Sequence, residues 1–184
     1  MNGFIVGKFA PFHRGHEWFI REALKQCDSL FVILSHDARF LETIPLEIRS
    51  AFLPEKRFAW LKKFVADLAT EGKSVQASMV DEKDIPQYPN GWKEFVDLCL
   101  AEMERFGFVP DVIFSSEPNY DAMYKKYLPS CRHIVIDAQR THICLSGTEI
   151  RAGFYRAYLE TANIRKGLST TVYQDLIHSL IQPQ

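Results

Sequence analysis

Residues 7–16, which read GKFAPFHRGH, combine the side chains that bind a phosphate group. His13 and His16 are three residues apart, so at the start of a helix their rings can face one point. A helix amino terminus attracts anions through its N–H groups and its dipole, and Lys8 and Arg14 add positive charge. The segment therefore predicts an anion site. The alternative is two ordinary histidines in a turn, one a helix cap and one exposed.

Small and stiff residues in the same segment would shape its backbone. Gly7 lets the chain approach a ligand closely, and Pro11 restrains the turn. Gly15 permits a tight entry into the helix that follows. These residue types fit a loop that lies against a ligand.

A second polar cluster, Ser146-Gly147-Thr148-Glu149-Ile150-Arg151, lies far downstream. Ser146 as N-cap and Glu149 three residues later predict a capping box, which is a structural role. The same geometry could serve chemistry, because the hydroxyls of Ser146 and Thr148 can line a phosphate cradle. Arg151 would add a forked cation.

The elements that position these clusters alternate along the chain. Short apolar runs at 4–6, 30–34, 74–80, 111–114 and 133–136 are typical of strands buried on both faces. Amphipathic segments at 16–26, 54–69, 92–106 and 170–181 predict helices. The alternation predicts a doubly wound α/β fold with a parallel sheet, in which ligands bind beyond the carboxyl ends of the strands. The irregular stretch 81–91 is a candidate binding loop.

Bulk composition limits the classes of function. The chain has 184 residues, 47% of them apolar, and a formal net charge of −1, so it lacks the basic excess of most nucleic-acid binders. No apolar run approaches the roughly 20 residues of a membrane span. Because the first apolar run begins at once, we expect no leader sequence. The four cysteines are scattered without a CxxC pair, which favours reduced thiols in the cytoplasm.

Both motifs resemble those of a known superfamily. GKFAPFHRGH matches the GxFxPxHxGH signature of the HxGH nucleotidylyltransferases, and SGTEIR resembles their (S/T)xxxR-type motif. The segments 84–92 (DIPQYPNGW), 115–120 (SSEPNY) and 135–141 (VIDAQRT) resemble NadR-type nicotinamide mononucleotide (NMN) adenylyltransferases. The resemblance implies a Rossmann-like domain that transfers AMP from ATP to NMN, giving NAD and pyrophosphate.

The resemblance also implies how the chain is organised. We expect residues 1–184 to form one nucleotidylyltransferase domain with carboxy-terminal helices from about 153. The helix-turn-helix and kinase regions of some relatives are expected to be absent. Homo-oligomers are possible.

Roles for the site residues follow from the same resemblance. His13 and His16 would bind the triphosphate, Lys8 would bridge the two substrates, and Arg151 would help hold the departing phosphates. Magnesium would be held mainly by phosphate oxygens and water, with no protein ligand. The full set predicted to bind ATP is Gly7, Lys8, Phe9, His13, Gly15, His16, Ser115, Glu117, Asn119, Asp137, Arg140, Ser146, Gly147, Thr148 and Arg151.

The predicted NMN site uses a different part of the chain. Trp92 would stack on the cationic nicotinamide ring, the alternative being a core aromatic that opens a helix. Its other predicted members are Lys8, Tyr88, Asn90, Arg49 and Arg57. For the two arginines, a solvated helix position is the alternative.

Several alternatives remain open at this stage. Many relatives have a second serine where Gly147 stands, so one hydroxyl donor is missing. The acceptor could be another phosphate compound, such as phosphopantetheine, or the reaction could be cytidylyl transfer. A non-catalytic NAD-sensing module is a rival of another class, and tRNA charging is a remote one. The sequence does not separate NMN from nicotinic acid mononucleotide.

Overall fold

The computed structural model describes residues 1–87, 89–139, 141–142, 146–155 and 162–181. Five strands form one sheet in which every pairing is parallel. They are β1 (Asn2–Gly7), β2 (Ser29–His36), β3 (Val75–Asp81), β4 (Val112–Ser115) and β5 (Arg132–Val135).

The strand order β3-β2-β1-β4-β5 makes the sheet doubly wound. The chain moves outward from β1 through β2 to β3, then returns to pair β4 with the other side of β1. Gly3 lies opposite Val112 in that pairing, and Gly7 lies opposite Leu34 in the pairing with β2. The winding reverses between β1 and β4, so their carboxyl ends flank the crevice where this fold class binds ligands.

Helices follow the strands and cover the sheet. They are α1 (Arg14–Leu24), α2 (Ala38–Glu42), α3 (Leu46–Arg49), α4 (Pro54–Thr70), α5 (Trp92–Arg105), α6 (Asp121–Tyr127), α7 (Gly147–Tyr155), α8 (Ala162–Gly167) and α9 (Thr170–Ile181). Two short 3-10 turns lie at Ser50–Phe52 and Pro118–Tyr120. Within the described ranges, no helix is long and apolar enough to cross a membrane.

Buried apolar residues occupy both faces of the sheet, because neighbouring side chains in a strand point in opposite directions. Phe4 joins one cluster with Phe31 of β2, while Ile5 joins the other with Val32. Burial on both faces explains why the strands are continuous apolar runs.

The predicted α/β fold with a parallel sheet is confirmed. Each predicted strand is present within a residue or two of its expected bounds. The helix expected from position 16 begins at Arg14, because His13 is its N-cap. Pro54 opens α4, as its position before Glu55 predicts. The short helices α2, α3 and α6 were not predicted.

Candidate active site

His13 and His16 form the amino-terminal cap of α1 at the carboxyl end of β1. The Nδ1 atom of His13 accepts a hydrogen bond from the backbone N–H of Gly15 at 3.1 Å. The Nδ1 atom of His16 accepts one from the backbone N–H of His13 at 3.2 Å. The two rings are stacked, with centroids 3.7 Å apart. Both histidines therefore belong to one reciprocal cap, and the prediction that their rings can face one point is met.

These hydrogen bonds determine which ring nitrogen carries the proton. Since each Nδ1 accepts from a backbone N–H, a neutral ring must be protonated on Nε2. Both imidazoles are thus prepared to present an Nε2–H donor. Two such donors at a helix amino terminus suit the oxygens of a phosphate group.

Aromatic residues from the same loop hold the pair in place. The ring of Phe9 lies edge-on to His16 with centroids 4.9 Å apart, and Phe12 stacks on His16 at 5.7 Å. Phe9 has a φ of 47°, a region that costs energy for a residue with a side chain. A Cβ at Gly7 would lie 2.9 Å from the Phe9 ring, so Gly7 makes room for that ring. The close approach expected at Gly7 is therefore to Phe9.

Arg151 of α7 connects the downstream cluster to this loop. Its Nη1 donates to the carbonyl oxygen of Ala10 at 2.5 Å, and its Nη2 donates to the Thr148 hydroxyl at 3.1 Å. Burial lowers the pKa of the Arg151 guanidinium. The two motifs that the sequence separates by more than a hundred residues thus meet at one place.

Gly147 permits this meeting. A Cβ added there would lie 2.8 Å from the Ala10 carbonyl oxygen and 3.2 Å from Arg151 Nη1. A serine at this position would force α7 away from the loop. The departure from the family motif therefore has a packing reason.

The predicted capping box at the start of α7 is present. Glu149 Oε2 accepts from the backbone N–H of Ser146 at 2.7 Å and from its hydroxyl at 2.8 Å. The backbone N–H of Glu149 donates back to the Ser146 oxygen at 3.2 Å. Because Ser146 closes this cap, its hydroxyl would have to exchange partners to reach a phosphate.

Arg57 of α4 is fully buried, so the alternative of a solvated helix arginine is wrong for it. Its Nη1 donates to the carbonyl oxygen of Lys8 at 2.6 Å, and its Nη2 lies 3.2 Å from His36 Nδ1. Burial is the main reason that the pKa of Arg57 is lowered to about 10, and the nearby Arg151 contributes to this lowering. Arg57 therefore fixes the backbone that carries Lys8.

Arg49 has a different environment. Its guanidinium donates to the carbonyl oxygens of Ile44, at 3.0 and 3.1 Å, and of Glu42, at 3.2 Å. These bonds tie α3 to the end of α2. Its predicted contact with NMN would require this guanidinium to change partners.

A cavity of about 430 Å³ opens beside Lys8 between β1, β2 and the 81–91 loop. Trp92, the first residue of α5, lines it together with Tyr120 and Tyr124, which meet the indole edge-on at 5.0 and 5.3 Å. Trp92 is 6% exposed, so it is both a core aromatic and a wall of the cavity. Asn90 lies in an exposed turn, its N–H donating to Gln87, and is not among the lining residues that the structure describes.

Two carboxylates line the same cavity. Glu82 accepts a hydrogen bond from the Ser35 hydroxyl, and burial raises the pKa of Glu82. Asp37 is the N-cap of α2 and forms an ion pair with Arg39 at 2.8 Å. Burial opposes the ionisation of Asp37, but its hydrogen bonds from Arg39 lower its pKa overall. The cavity is thus aromatic on one side, and its polar lining combines these two carboxyl groups with the cations Lys8 and Arg39.

The residues predicted for the adenosine side lie around the carboxyl ends of β4 and β5. Ser115 contacts His133 Nε2 at 2.7 Å and accepts from the Glu117 N–H at 3.1 Å. Asn119 is exposed in the 3-10 turn. These positions fit the predicted side of the crevice, and their contact with a nucleotide stays a prediction.

Asp137 organises the segment that follows β5. It has a φ of 50°, and its carboxylate accepts from the Thr141 N–H and hydroxyl and from the His142 N–H. Desolvation opposes its ionisation, but these hydrogen bonds lower the pKa of Asp137 to about 2. The imidazole of His142 stacks on Trp18 of α1, with centroids 4.3 Å apart. Arg140 and Tyr88, also predicted site residues, lie outside the described residues.

Sequence reasoning missed Phe40, Asp37 and Glu82. An aspartate directly before Ala38 is an N-cap signal that could have revealed α2, and through it Asp37. Glu82 follows β3 directly, where this fold class places ligand contacts. Phe40 gave no signal, because an aromatic residue in a short segment is ordinary.

The side chains in and around the 7–16 loop do not form a set of protein ligands for a metal ion. Within the described ranges, no group of three or more His, Cys, Asp or Glu residues could hold one. Lys8, Arg151 and two imidazoles lie in or against this loop instead, and side chains of these types suit anions. A divalent ion would fit here with phosphate oxygens and water as its ligands.

A comparison with models of known protein families finds no match. The chain is 28% identical over 157 residues to the trifunctional NAD biosynthesis/regulator protein NadR of Escherichia coli (strain K12). It is 27% identical over 154 residues to the same protein of Salmonella typhimurium. Each match covers 84% of this chain, and the chain spans only 37% of the length of these curated relatives.

A comparison with solved structures also finds similarity to a NadR protein. A NadR protein in complex with NR superposes with a TM-score of 0.59 and 27% identity, covering 82% of this chain and 41% of the other. A bifunctional NMN adenylyltransferase/ADP ribose pyrophosphatase from Francisella tularensis has a TM-score of 0.64 over 99% of this chain and 50% of its own. At 17% identity, the latter supports the fold alone. The resemblance to NadR-type proteins and the Rossmann-like α/β fold are therefore confirmed, and NadR proteins are relatives of this chain.

Proposed function

We propose that the chain is an NMN adenylyltransferase, which transfers AMP from ATP to NMN and releases pyrophosphate. The observation that carries this proposal is the hydrogen bond from Arg151 to Ala10. It joins the downstream cation to the loop that holds His13 and His16. That loop opens beside the cavity lined by Lys8 and Trp92.

The reaction needs positioning more than a protein nucleophile. An oxygen of the NMN phosphate attacks the α-phosphorus of ATP, and the bond from that phosphorus to the bridging oxygen breaks as pyrophosphate leaves. His13 and His16 would donate from Nε2 to the triphosphate. Lys8 belongs to the 7–16 loop and also lines the cavity, so it could contact both substrates. Arg151 would stabilise the charge on the departing phosphates.

Magnesium ion is the proposed cofactor. The bifunctional protein from Francisella tularensis, which has a similar fold, has also been solved in complex with AMP and a manganese ion, and this metal is a property of that protein. Here the cationic loop suits an ion held by phosphate oxygens and water. The ion would supply neutralisation of phosphate charge.

The cavity supports NMN over nicotinic acid mononucleotide as the acceptor. NMN carries a cationic ring and a neutral carboxamide, whereas the acid carries an additional carboxylate. Asp37 lines the cavity with a lowered pKa and so stays ionised at neutral pH, and Glu82 adds a second carboxyl group. Two cations, Lys8 and Arg39, line the cavity as well, but Arg39 is paired with Asp37 and Lys8 is proposed to bind the phosphates. The lining near Trp92 and Glu82 would therefore favour a cationic aromatic ring and disfavour a carboxylate.

The unit that carries the activity is proposed to be residues 1–184 as one domain. Ala10 near one end of the chain and Arg151 near the other build the same site. The described cysteines, Cys27, Cys99 and Cys131, are free thiols, which agrees with the cytoplasm as the compartment.

One assay tests the proposal. The purified chain with ATP and Mg²⁺ is offered NMN, nicotinic acid mononucleotide, phosphopantetheine or glycerol phosphate, and pyrophosphate release is measured. We expect turnover with NMN, less with nicotinic acid mononucleotide and none with the others. NAD binding by calorimetry without turnover on any acceptor would favour the sensing module and overturn the enzymatic proposal.

A further inference from the structure

Three cationic side chains from separate elements gather around the ring of Phe40 in α2. Lys8 Nζ lies 4.7 Å from the ring centroid, and the Cζ atoms of Arg151 and Arg57 lie at 5.1 and 5.8 Å. Lys8 follows β1, Arg57 is in α4 and Arg151 is in α7. One apolar ring is therefore shared by three positive charges.

We call Phe40 and these three cations the Phe40 cluster, and within the part of the chain that the structure describes its cations have no direct carboxylate partner. Among the ion pairs within 4 Å that the described residues make, none includes Lys8, Arg57 or Arg151. The two guanidinium groups are held instead by neutral acceptors, such as the carbonyl oxygens of Lys8 and Ala10.

The nearest acidic groups act at longer range. The charge of Lys8 contributes to lowering the pKa values of Asp37 and Glu82, and the charge of Glu55 contributes to raising the pKa of Arg57. None of them closes a salt bridge with the cluster within the described residues, so no direct carboxylate partner neutralises its positive charge. Arg57 is fully buried and would act on a ligand through its electrostatic field.

Cations this close to one another repel, and before an anion binds a favourable interaction within the protein must offset that repulsion. The face of an aromatic ring attracts cations through its quadrupole. A carboxylate would do the same but would also cancel the charge that an anionic ligand needs. A phenyl ring can hold cations in place and leave their charge intact.

We propose that Phe40 is a positioning residue, which holds Lys8, Arg57 and Arg151 together as a preorganised site for a polyphosphate anion. This inference rests on the proposed function for the identity of the anion, since the triphosphate of ATP would be its ligand. Phe40 acts through the three cations and touches no reacting atom.

The test separates the effect of the aromatic ring of Phe40 from the effect of an apolar side chain at that position. Phe40→Leu and Phe40→Met keep an apolar side chain but lose the ring, whereas Phe40→Tyr keeps it. The matched control is Phe58→Leu, because Phe58 of α4 also carries a cation, with Lys62 Nζ 4.9 Å from its ring and outside the cluster. Calorimetry measures the affinity of each variant for inorganic tripolyphosphate, and thermal unfolding shows which variants are folded.

We expect Phe40→Leu and Phe40→Met to bind tripolyphosphate about 10- to 30-fold more weakly, as two or three weakened cation–π contacts would give. Phe40→Tyr should stay within about threefold of the unmodified chain, and Phe58→Leu should match it. The slope of affinity against salt should not change, because no charge is removed. In turnover, Phe40→Leu should raise KM for ATP more than KM for NMN.

Two results would overturn the inference. One is tripolyphosphate affinity within about twofold of normal in a folded Phe40→Leu or Phe40→Met variant. The other is equal weakening by Phe40→Tyr, which would assign the effect to packing. Failure of the proposed function looks different, because the unmodified chain would then bind tripolyphosphate but release no pyrophosphate from ATP and NMN.

Discussion

Arg151 Nη1 and the carbonyl oxygen of Ala10 are 2.5 Å apart. This hydrogen bond joins α7 to the loop that precedes His13, and it forms because Gly147 lets the helix approach. Arg151 holds Thr148 through its other terminal nitrogen and lies over Phe40. The guanidinium is therefore fixed in position before any ligand arrives, which is how a preorganised charge contributes most to catalysis.

Arg151→Lys should show that catalysis depends on the two terminal nitrogens of the guanidinium group as well as on its charge. Lysine keeps the positive charge but cannot bond Ala10 and Thr148 together, so the cation would be less well placed. We expect kcat to fall on the order of 10²-fold, the scale for loss of a preorganised donor, with a smaller change in KM for NMN. Steady-state kinetics with each substrate varied in turn would check this, with Arg105→Lys, at the exposed end of α5, as the control. Unchanged kcat would remove Arg151 from the chemistry.

Gly147→Ser should impair both folding and turnover, although the resemblance to the nucleotidylyltransferase motif implies that serine can stand at this position. Its Cβ would lie 2.8 Å from the Ala10 carbonyl oxygen, so α7 must shift and the Arg151–Ala10 bond lengthens. We expect a loss of about 1–3 kcal/mol in the free energy of unfolding, together with lower kcat. Urea denaturation measures the first effect. Ala152→Ser, at an exposed position of α7, is the control and should change neither quantity. A fully stable and active Gly147→Ser variant would contradict the packing argument.

The sequence predicted the elements whose pattern is local. β1 and β2 are continuous apolar runs because both faces of the sheet are covered, and Pro54 and the pair Ser146 and Glu149 mark helix starts by their own chemistry. The motif at residues 7–16 could be placed at the carboxyl end of β1 because it directly follows that apolar run.

Other features depend on distant parts of the chain. Phe40 matters because Lys8, Arg57 and Arg151 converge on it, and no spacing in the sequence reveals that convergence. The burial of Arg57 could not be predicted from the sequence either, since an arginine in a helix is usually solvated. The helix that carries Phe40 is only five residues long, too short for a periodic pattern.

Trp92→Phe should weaken the acceptor site selectively. The smaller ring offers less surface for stacking, so KM for NMN should rise several-fold more than KM for ATP. Trp92→Ala should enlarge the same difference, but loss of a buried indole also costs about 3–5 kcal/mol of stability, so thermal unfolding must accompany the kinetics. Leu98→Ala is the control for packing, because Leu98 of α5 packs against the same apolar cluster as the indole but is not among the described lining residues of the cavity. Equal rises in both KM values would refute the stacking assignment.

The stability of the segment after β5 should depend on pH through Asp137. The folded pKa of about 2 lies below the ordinary value of 3.8, so ionised Asp137 stabilises the fold above pH 3.8. That contribution should be lost as pH falls through 3.8 towards 2, because protonation removes the acceptor for Thr141 and His142. Urea denaturation from pH 7 down to the acid limit, compared with Asp137→Asn, measures it. The two proteins should differ at pH 7 and converge in acid, and a constant difference at all pH values would contradict this account.

His16→Ala separates the two roles of this imidazole, as a helix cap and as a phosphate donor. The cap alone is worth about 0.5–2 kcal/mol of stability, because the His13 N–H loses its acceptor. Loss of the Nε2–H donor should lower kcat on the order of 10²–10³-fold. His16→Asn offers an amide oxygen for the cap but a shorter reach, so it should recover stability without recovering turnover. His178→Ala, on the exposed face of α9, serves as the neutral histidine change. If His16→Asn restored both stability and kcat, the imidazole would be a cap alone, and the assignment of the triphosphate to this loop would fail.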